Sequence, residues 1–271
     1  MPAEPVATRH ARRLHWRDGA AGEGARMLAV ETPVAIVVNG STFAVMLASP
    51  ADLEDFAVGF ALSEGVVGTL GDIESIDIVA QADGIEARLW ITPALAAAAA
   101  ERRRFLAGPT GCGLCGVESL AEATRAAIAC TAIGPAPTPD EILQAMAALS
   151  AFQPIGAATR AVHAAALWRR GAALLVREDV GRHNALDKLI GAAHRTGMAT
   201  DAAMLLLTSR VSVEMVQKAS ILGAPVVVAV SAPTSLAIDR AAAAGLTVVA
   251  VARPDGFEVF GGSERLAWPE I

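Results

Sequence analysis

The fold is decided by residues 204–230, MLLLTSRVSVEMVQKASILGAPVVVAV, which place an amphipathic helical pattern between two short apolar runs. Val226 to Val230 is mostly β-branched and carries no charge, as in strands buried on both faces of a parallel sheet. Pro225 and Pro233 interrupt the uncharged stretch 219–238, so a membrane-spanning helix is not expected there. These residues predict a strand–helix–strand unit of an α/β protein.

The same alternation extends in both directions along the chain. Strands are expected at 174–176, 204–207, 226–230 and 247–251, separated by helices at 184–194, 213–222 and 235–244. This order predicts a parallel sheet covered by helices. Ligands of such sheets bind outside the carboxyl ends of the strands, so one site is expected at the loops that follow Val176, Leu207, Val230 and Val251.

The N-terminal third has shorter apolar runs. Residues 34–38 and 43–47 flank Asn39-Gly40, a pair that tolerates the positive φ of a tight turn, so they predict a β-hairpin. A helix is expected to begin after Asp52, as its N-cap, and to end before Gly65.

The chain is expected to divide into a loose N-terminus (1–26), a smaller N-terminal α+β region (27–107) and a C-terminal α/β domain (108–271). Further helices are expected at 94–107, 118–130 and 139–151. The last of these follows a linker at 134–137 and begins with the capping box Thr138-Pro139-Asp140-Glu141.

Composition limits the classes of function. The chain is 54% hydrophobic and 18% charged, with a net charge of −6, so it should fold, and it lacks the basic surface that duplex nucleic acid requires. Three cysteines in 271 residues, without an N-terminal apolar segment, predict a reducing cytoplasmic location and no disulfide framework. Neither nucleic acid nor a membrane is expected as a partner.

The sharpest local motif is Cys112-Gly113-Leu114-Cys115-Gly116, two thiols between glycines ahead of a predicted helix. A nearby helix N-terminus lowers a thiol pKa, and such a pair suits a persulfide carrier, a redox dithiol or half of a zinc site. A dithiol reductase would need a βαβ context, and zinc would need two more ligands from candidates such as His163, His183 and His194. No metal site is therefore expected, and the lone Cys130 is expected to pack in the core.

A polar segment, REDVGRHNALDK, occupies residues 177–188 directly after an apolar strand. Helix N-terminal N–H groups could bind an anion there, with Arg177 and Arg182 neutralising phosphate. Arg210 and Arg253, after later strands, are expected to join the same site.

A purely structural interpretation of these polar residues also stands. It makes 177–188 a solvated helix face, with His183 paired to Asp187 four residues on. Glu214 and Lys218 have the same spacing and are expected to form an ordinary ion pair along their helix.

Together these motifs resemble the accessory sulfurtransferases required for active formate dehydrogenase, the FdhD family. The resemblance spans about residues 30–260 and depends on several motifs in order: Glu31-Thr32-Pro33, the 112–116 loop, His163-Ala164-Ala165, 177–188, 213–218 and 231–237. The chain departs from the family pattern at Arg160, Ala161 and Ser209, where that family typically has glycine.

This resemblance implies a cytidine-deaminase-like, three-layer α/β domain with a parallel-rich sheet. It implies that a cysteine desulfurase loads Cys112 as a persulfide, with Cys115 as its loop partner. The sulfur would then pass to the molybdenum bis-molybdopterin guanine dinucleotide cofactor of formate dehydrogenase, with the carrier acting as a homodimer. A non-catalytic chaperone of that molybdenum cofactor is the alternative.

The resemblance also implies where the cofactor binds. Its binding stretch near the C-terminus corresponds to Val251, Ala252, Arg253, Pro254, Asp255 and Gly256. Arg182, His183 and Arg210 are expected to add contacts from the neighbouring loops, and GDP should serve as an analogue of the nucleotide half.

Overall fold

A computed structural model of the chain describes residues 6–104, 127–131 and 134–269, without the side chains of 102–104. Within these residues the strands are β1 (Thr8–Arg17), β2 (Ala20–Ala29), β3 (Thr32–Val38), β4 (Ser41–Ala48), β5 (Ile73–Gln81), β6 (Gly84–Ile91), β7 (His163–Arg169), β8 (Leu175–Asp179), β9 (Ala203–Leu207), β10 (Val226–Ala229), β11 (Thr247–Arg253) and β12 (Gly256–Gly261). The helices are α1 (Leu53–Ser63), α2 (Pro93–Arg104), α3 (Pro139–Leu149), α4 (Pro154–Thr159), α5 (Arg182–Thr196), α6 (Val213–Leu222) and α7 (Ser235–Ala243).

The N-terminal segment is an antiparallel ribbon, and the expectation of a loose terminus over 1–26 is wrong for residues 8–26. Strands β1 and β2 pair from Thr8 opposite Ala29 to Arg17 opposite Ala20. The turn between them is Asp18-Gly19, where φ is 52° and 77°. Asp-Gly is itself a strong hairpin signal, and here it outweighs the weak apolar alternation of the two strands.

The second sheet has the order β4-β3-β6-β5. Its β3–β4 hairpin confirms the prediction, because Asn39 and Gly40 adopt φ of 45° and 78° in the turn. Strand β3 also pairs in parallel with β6, and β6 pairs with β5 in antiparallel fashion. Strands β5 and β6 were not predicted.

Helix α1 lies on the inner face of this second sheet. Phe56 is fully buried in one core with Ile36 of β3 and Leu89 of β6. Asp52 occupies the N-cap position as predicted, but it adopts a left-handed φ of 53° and its side chain makes no capping hydrogen bond. Gly65, with φ of 68°, follows the end of the helix as expected.

The third sheet has the order β12-β11-β10-β9-β7-β8. Strands β9, β10 and β11 are parallel, as predicted. Strand β7 is antiparallel to both β8 and β9, and β12 is antiparallel to β11, so the sheet is mixed. Neither β7 nor β12 was predicted, and β8 runs to Asp179 instead of ending at Val176.

Helices cover both faces of the third sheet. Alternate residues of β9 and β10 separate into two cores: Leu205 and Val227 face α5 and α6, whereas Leu206 and Val228 face α3. This alternation follows from the two-residue period of a strand. The observed fold is therefore a mixed α/β fold, while the likeness to cytidine deaminases stays a prediction.

The predictions for the middle of the chain have mixed outcomes. The capping box at Thr138 is confirmed, since its Oγ1 accepts from Glu141 N (3.2 Å) while its N–H donates to Glu141 Oε2 (2.9 Å). Helix α3 then ends at Leu149, and a 3₁₀ turn over 150–152 follows. The helix expected at 118–130 does not reach residues 127–131, and the rest of it lies outside the described residues, as does the expected domain boundary at 107.

Two glycines bring α1 and α5 into close contact. A Cβ added to Gly59 of α1 would lie 1.7 Å from the carbonyl oxygen of Asp187, and one added to Gly191 of α5 would lie 1.9 Å from that of Asp55. The two helix backbones thus touch, and this crossing joins the second and third sheets through one continuous core.

No helix of the described residues combines the length and the apolar composition that crossing a bilayer requires. The uncharged stretch 219–238 is divided among the end of α6, the buried strand β10 and the start of α7.

Candidate functional site

The site lies at one edge of the third sheet. Strand β8 is antiparallel to β7, which is antiparallel to β9, so β8 runs in the same direction as β9, β10 and β11. The carboxyl ends of these four strands therefore meet at the same edge. The prediction that their following loops share one edge is confirmed, although β7 intervenes and contributes its first residue, His163.

Asp179 organises the turn that leads from β8 into α5. Its buried carboxylate accepts from the backbone N–H groups of Ser49 (2.9 Å) and Gly181 (2.8 Å) and from Asn184 Nδ2 (3.0 Å). The fully buried Lys188 Nζ lies 2.7 Å from the same carboxylate. These partners tie the turn to the end of β4, so several polar residues of the 177–188 segment serve the fold and not a ligand.

Arg177 is also a structural residue, which corrects its expected role in phosphate binding. Its Nε and Nη2 donate to Asp55 Oδ2 at 2.8 and 2.6 Å, joining β8 to α1. Asp52 Oδ1 lies 3.4 Å from the same guanidinium. Because all three guanidinium nitrogens donate within the fold, Nη1 to the carbonyl oxygen of Val176, the side chain has little capacity left for an incoming anion.

The expected Glu214–Lys218 ion pair is wrong, and so is the structural alternative that paired His183 with Asp187. Asp187 faces Lys218, with Oδ1 2.6 Å from Nζ, and Lys218 also donates to Ser63 Oγ and Glu64 Oε1. Burial raises the pKa of Asp187, against the opposing charge of Lys218. The partners come from α1, α5 and α6, because the tertiary packing of buried charges outweighs local helix pairing.

His183 and Glu214 are left to pair with each other. His183 Nε2 lies 3.9 Å from Glu214 Oε2, and each side chain is 13% exposed. Burial alone would raise the pKa of Glu214, but His183 and the Ser212 hydroxyl together lower it to about 2. Sequence reasoning missed Glu214 as a site residue because Lys218, four residues on, offered an obvious local partner.

Cationic and neutral donors converge beside this pair. Arg182 and His183 are the first two residues of α5, and His163 begins β7. Burial, Arg182 and His183 lower the pKa of His163, while Asp179 opposes that shift. Within the part of the chain that the structure describes, the buried Arg182 Nε and His183 Nε2 atoms have no hydrogen-bond partner. An anion bound at this cluster would therefore give the Arg182 Nε donor the partner that the described residues do not supply.

The other two predicted arginines lie at the same edge but are exposed. Arg210 follows β9, and Arg253 ends β11. Arg253 Nη1 donates to the carbonyl oxygens of Val230 and Ala252, so this side chain joins the ends of β10 and β11.

The predicted stretch 251–256 forms the hairpin between β11 and β12. Val251, Ala252 and Arg253 end β11, Pro254 and Asp255 make the turn, and Gly256 begins β12. Val251 adopts a positive φ of 52° where the pairing of β11 with β12 shifts register. Left-handed backbone is rare for a β-branched residue, so this turn holds a strained position at the site edge.

The departures from the family pattern have different structural consequences. Arg160 adopts φ of 57° at the C-cap of α4, so it occupies a conformation that glycine would favour. Ser209 is buried, and its hydroxyl donates to the carbonyl oxygen of Arg210. Its φ is not positive, so a glycine is not needed there for backbone reasons.

The predicted catalytic residues, Cys112 and Cys115, lie outside the described residues. Cys130 is half-buried and packs against the core, as predicted. Within the described ranges no three His, Cys, Asp or Glu side chains are grouped closely enough to hold a metal ion. The absence of zinc from the cysteine pair stays a prediction.

The chain is similar to known proteins over nearly its whole length. The model of the FdhD/NarQ family matches residues 29–267. The sulfur carrier protein FdhD of Agrobacterium fabrum is 46% identical over 259 residues, covering 95% of this chain and 96% of that protein. The sulfur carrier protein FdhD of Brucella abortus is 46% identical over 239 residues, covering 88% and 89%.

A solved structure supports the same relationship. A Desulfotalea psychrophila protein described as a formate dehydrogenase accessory protein aligns with a TM-score of 0.73 and 25% identity. The alignment covers 97% of this chain and 100% of that one. The shared fold thus includes both the second and the third sheet.

Proposed function

Because the chain belongs to the FdhD/NarQ family, we propose that it is a sulfur carrier that serves the maturation of formate dehydrogenase. The observation that carries the proposal is the family match over residues 29–267, which includes both cysteines of the 112–116 loop. The carrier is expected to act in the cytoplasm and to form a homodimer.

Sulfur is accepted by thiol exchange. The Cys112 thiolate attacks the terminal sulfur of a persulfide on a cysteine desulfurase, a new S–S bond forms, and the desulfurase cysteine leaves as a thiolate. Cys112 then carries the persulfide, and Cys115 stands three residues away as its loop partner. The terminal sulfur later passes to the molybdenum cofactor: the S–S bond breaks, Cys112 leaves as a thiolate, and a reduced acceptor metal would supply the electron pair that converts the sulfane sulfur to sulfide.

The cofactor is the client of this reaction and is expected at the carboxyl edge of the third sheet. Its guanine dinucleotide halves carry phosphates, and Arg182, His183, Arg210 and Arg253 supply cationic or N–H donor groups at that edge. The buried Arg182 Nε, for which the described residues supply no hydrogen-bond partner, supports an anionic ligand.

The test is intact-mass measurement after incubation with a cysteine desulfurase and free cysteine. Wild type should gain one sulfur atom, Cys112→Ala should gain none, and Cys130→Ala should match wild type because Cys130 packs against the core. Cys115→Ala should load sulfur but transfer it less efficiently. Full activation of formate dehydrogenase by Cys112→Ala would instead identify a non-catalytic chaperone of the molybdenum cofactor.

A further inference from the structure

The antiparallel ribbon of β1 and β2 has two faces with different surroundings. Cross-strand partners lie on the same face of a sheet, so the register places Leu14 and Trp16 on one face and Arg26 on the other. Arg26 Nη2 donates to the carbonyl oxygen of Thr159, and its face therefore meets α4. Leu14 and Trp16 are 79% and 72% exposed. The face that carries them is turned to solvent.

The outer edge of β1 is open. Within the part of the chain that the structure describes, the ribbon has no third strand, and β1 pairs with β2 alone. The strand that packs against α4 is β2. An edge strand presents unpaired backbone N–H and C=O groups, and an extended chain can pair with them. Strand β1 therefore offers an edge on which a third strand can form.

Strand β1 is strongly basic. Its ten residues include four arginines and two histidines and no carboxylate. Arg9, Arg12 and Arg17 are exposed, although the chain as a whole carries a net charge of −6. Neighbours of opposite charge on adjacent strands stabilise a sheet, and like charges destabilise it. A strand that pairs with β1 should thus carry carboxylates.

Most of these cations lie on one face of the ribbon. The alternation of the strand places Arg9, Arg13, His15 and Arg17 on the same face. The Arg13 side chain lies across β2, since a Cβ added to Gly24 would be 3.8 Å from Arg13 Nε. That Nε is buried, and no described residue accepts a hydrogen bond from it. A carboxylate beside β1 on this face would supply an acceptor.

We propose that β1 receives a third strand from a protein partner, and that this strand alternates acidic and apolar side chains. Its carboxylates would lie on the face of Arg9, Arg13 and Arg17, and its apolar side chains beside Leu14 and Trp16. Aromatic and arginine side chains dominate the binding energy of protein interfaces. In the proposed function sulfur exchange occurs in the 112–116 loop, so docking at β1 would raise the effective concentration of the partner without taking part in the exchange.

The ribbon itself distinguishes this occupant from two others. Asp18 lies in the turn next to Trp16, and Glu23 lies opposite Leu14 on the exposed face. An anionic bilayer would repel these carboxylates where the apolar side chains would have to enter it. A second copy of the chain that paired its own β1 with this one would set arginines beside arginines. A partner strand with carboxylates on the arginine face avoids both conflicts.

The test is the fluorescence anisotropy of a labelled decapeptide of alternating glutamate and valine, titrated with the full chain. The control peptide has its glutamates in one block and its valines in another, so it keeps the composition and charge and loses the alternation. It should bind about tenfold or more weakly, because its carboxylates cannot all face the arginines. The alternating peptide should also slow amide hydrogen exchange in β1, whose outer N–H groups it would bond.

Two variants test the two faces. Arg17→Glu reverses a charge on the arginine face and should weaken binding of the alternating peptide about fivefold or more. Trp16→Ala removes the exposed aromatic side chain and should have an effect of similar size. The matched control is Arg169→Glu, because Arg169 ends β7 as Arg17 ends β1, and it should leave binding unchanged. All three variants should unfold at the same temperature as wild type within about 2 °C, since these side chains make few contacts.

The outcomes decide between the occupants. Absence of binding, equal binding of the two peptides, or binding that neither Arg17→Glu nor Trp16→Ala weakens would overturn the proposal. Sedimentation with vesicles of phosphatidylcholine and phosphatidylserine that Trp16→Ala abolishes would assign the surface to a membrane instead. A smaller molar mass of Trp16→Ala than of wild type, by light scattering, would assign it to a contact between copies of the chain.

Discussion

At the residue scale, the two lysines show how this fold uses charge. Lys188 is fully buried with Nζ 2.7 Å from Asp179, and it also donates to the carbonyl oxygen of Ser49 at 2.8 Å. Lys218 is buried against Asp187. Both lysines connect the second sheet and α1 to the helices of the third sheet. Charged residues that could be mistaken for ligand contacts thus pair with each other inside the core.

Removal of the Lys188 charge should therefore destabilise the protein strongly. Lys188→Met leaves the Asp179 carboxylate buried without its cation, so the free energy of unfolding should fall by about 3–5 kcal/mol. Urea unfolding monitored by tryptophan fluorescence measures this change. Arg170→Met is the matched control, because the Arg170–Glu141 pair is half exposed and should contribute less than about 1 kcal/mol.

A double variant checks the cause. Lys188→Met combined with Asp179→Asn removes both charges, so it should be more stable than Lys188→Met alone. A double variant that is no more stable would show that the single change acts through lost packing and not through the unpaired carboxylate.

At the scale of elements, the second and third sheets are held together where α1 and α5 cross in close contact. Gly59→Ala or Gly191→Ala would place a methyl group within 2 Å of a backbone carbonyl oxygen, at 1.7 and 1.9 Å respectively. Backbone cannot rotate away as a side chain can, so each change should cost about 3 kcal/mol or more. Thermal unfolding would measure the loss.

The control for the crossing is Gly261→Ala in β12. An added Cβ at Gly261 meets no atom within 4 Å, and the residue lacks a positive φ. Its stability should stay within about 0.5 kcal/mol of wild type. Wild-type stability in both Gly59→Ala and Gly191→Ala would show that the helices can separate, and that the crossing does not determine the fold.

The same elements show what local sequence can predict. The β3–β4 hairpin and α6 follow from Asn39-Gly40 and from an apolar helical period, and α6 was predicted with its observed bounds. Strand β7 was missed because its residues, His163–Arg169, begin and end polar and its middle is rich in alanine, which is depleted in strands. It becomes a strand because β8 and β9 both pair with it.

At the scale of the whole molecule, the ribbon of β1 and β2 contacts the rest of the described chain, here called the body, through one of its two faces. Arg26 Nη2 donates to the carbonyl oxygen of Thr159 in α4. On the other face Leu14 and Trp16 are 79% and 72% exposed. The family match begins at residue 29, where the ribbon ends. The body should therefore fold without it.

Deletion of residues 1–29 tests this independence. The free energy of unfolding of the shortened chain should lie within about 1 kcal/mol of that of wild type, since the ribbon buries little apolar surface against the body. The shortened chain should also still load sulfur. Trp16→Ala in the full chain is the control and should be equally stable. An insoluble or strongly destabilised product would mean that the ribbon belongs to the core.

The sequence by itself determined the α/β class, the parallel β9–β10–β11 unit and the edge at which the candidate site lies. These follow from local periodicity and from the rule that carboxyl ends of parallel strands meet, so neighbours in sequence were sufficient. Only the tertiary structure decided which polar residues serve the fold and which stay available. Arg177, Asp187 and Lys218 find partners on other elements, and Glu214 is left for His183. The physical reason is that a buried charge pairs with whatever opposite charge packing brings near, and that neighbour is not encoded by spacing along one helix.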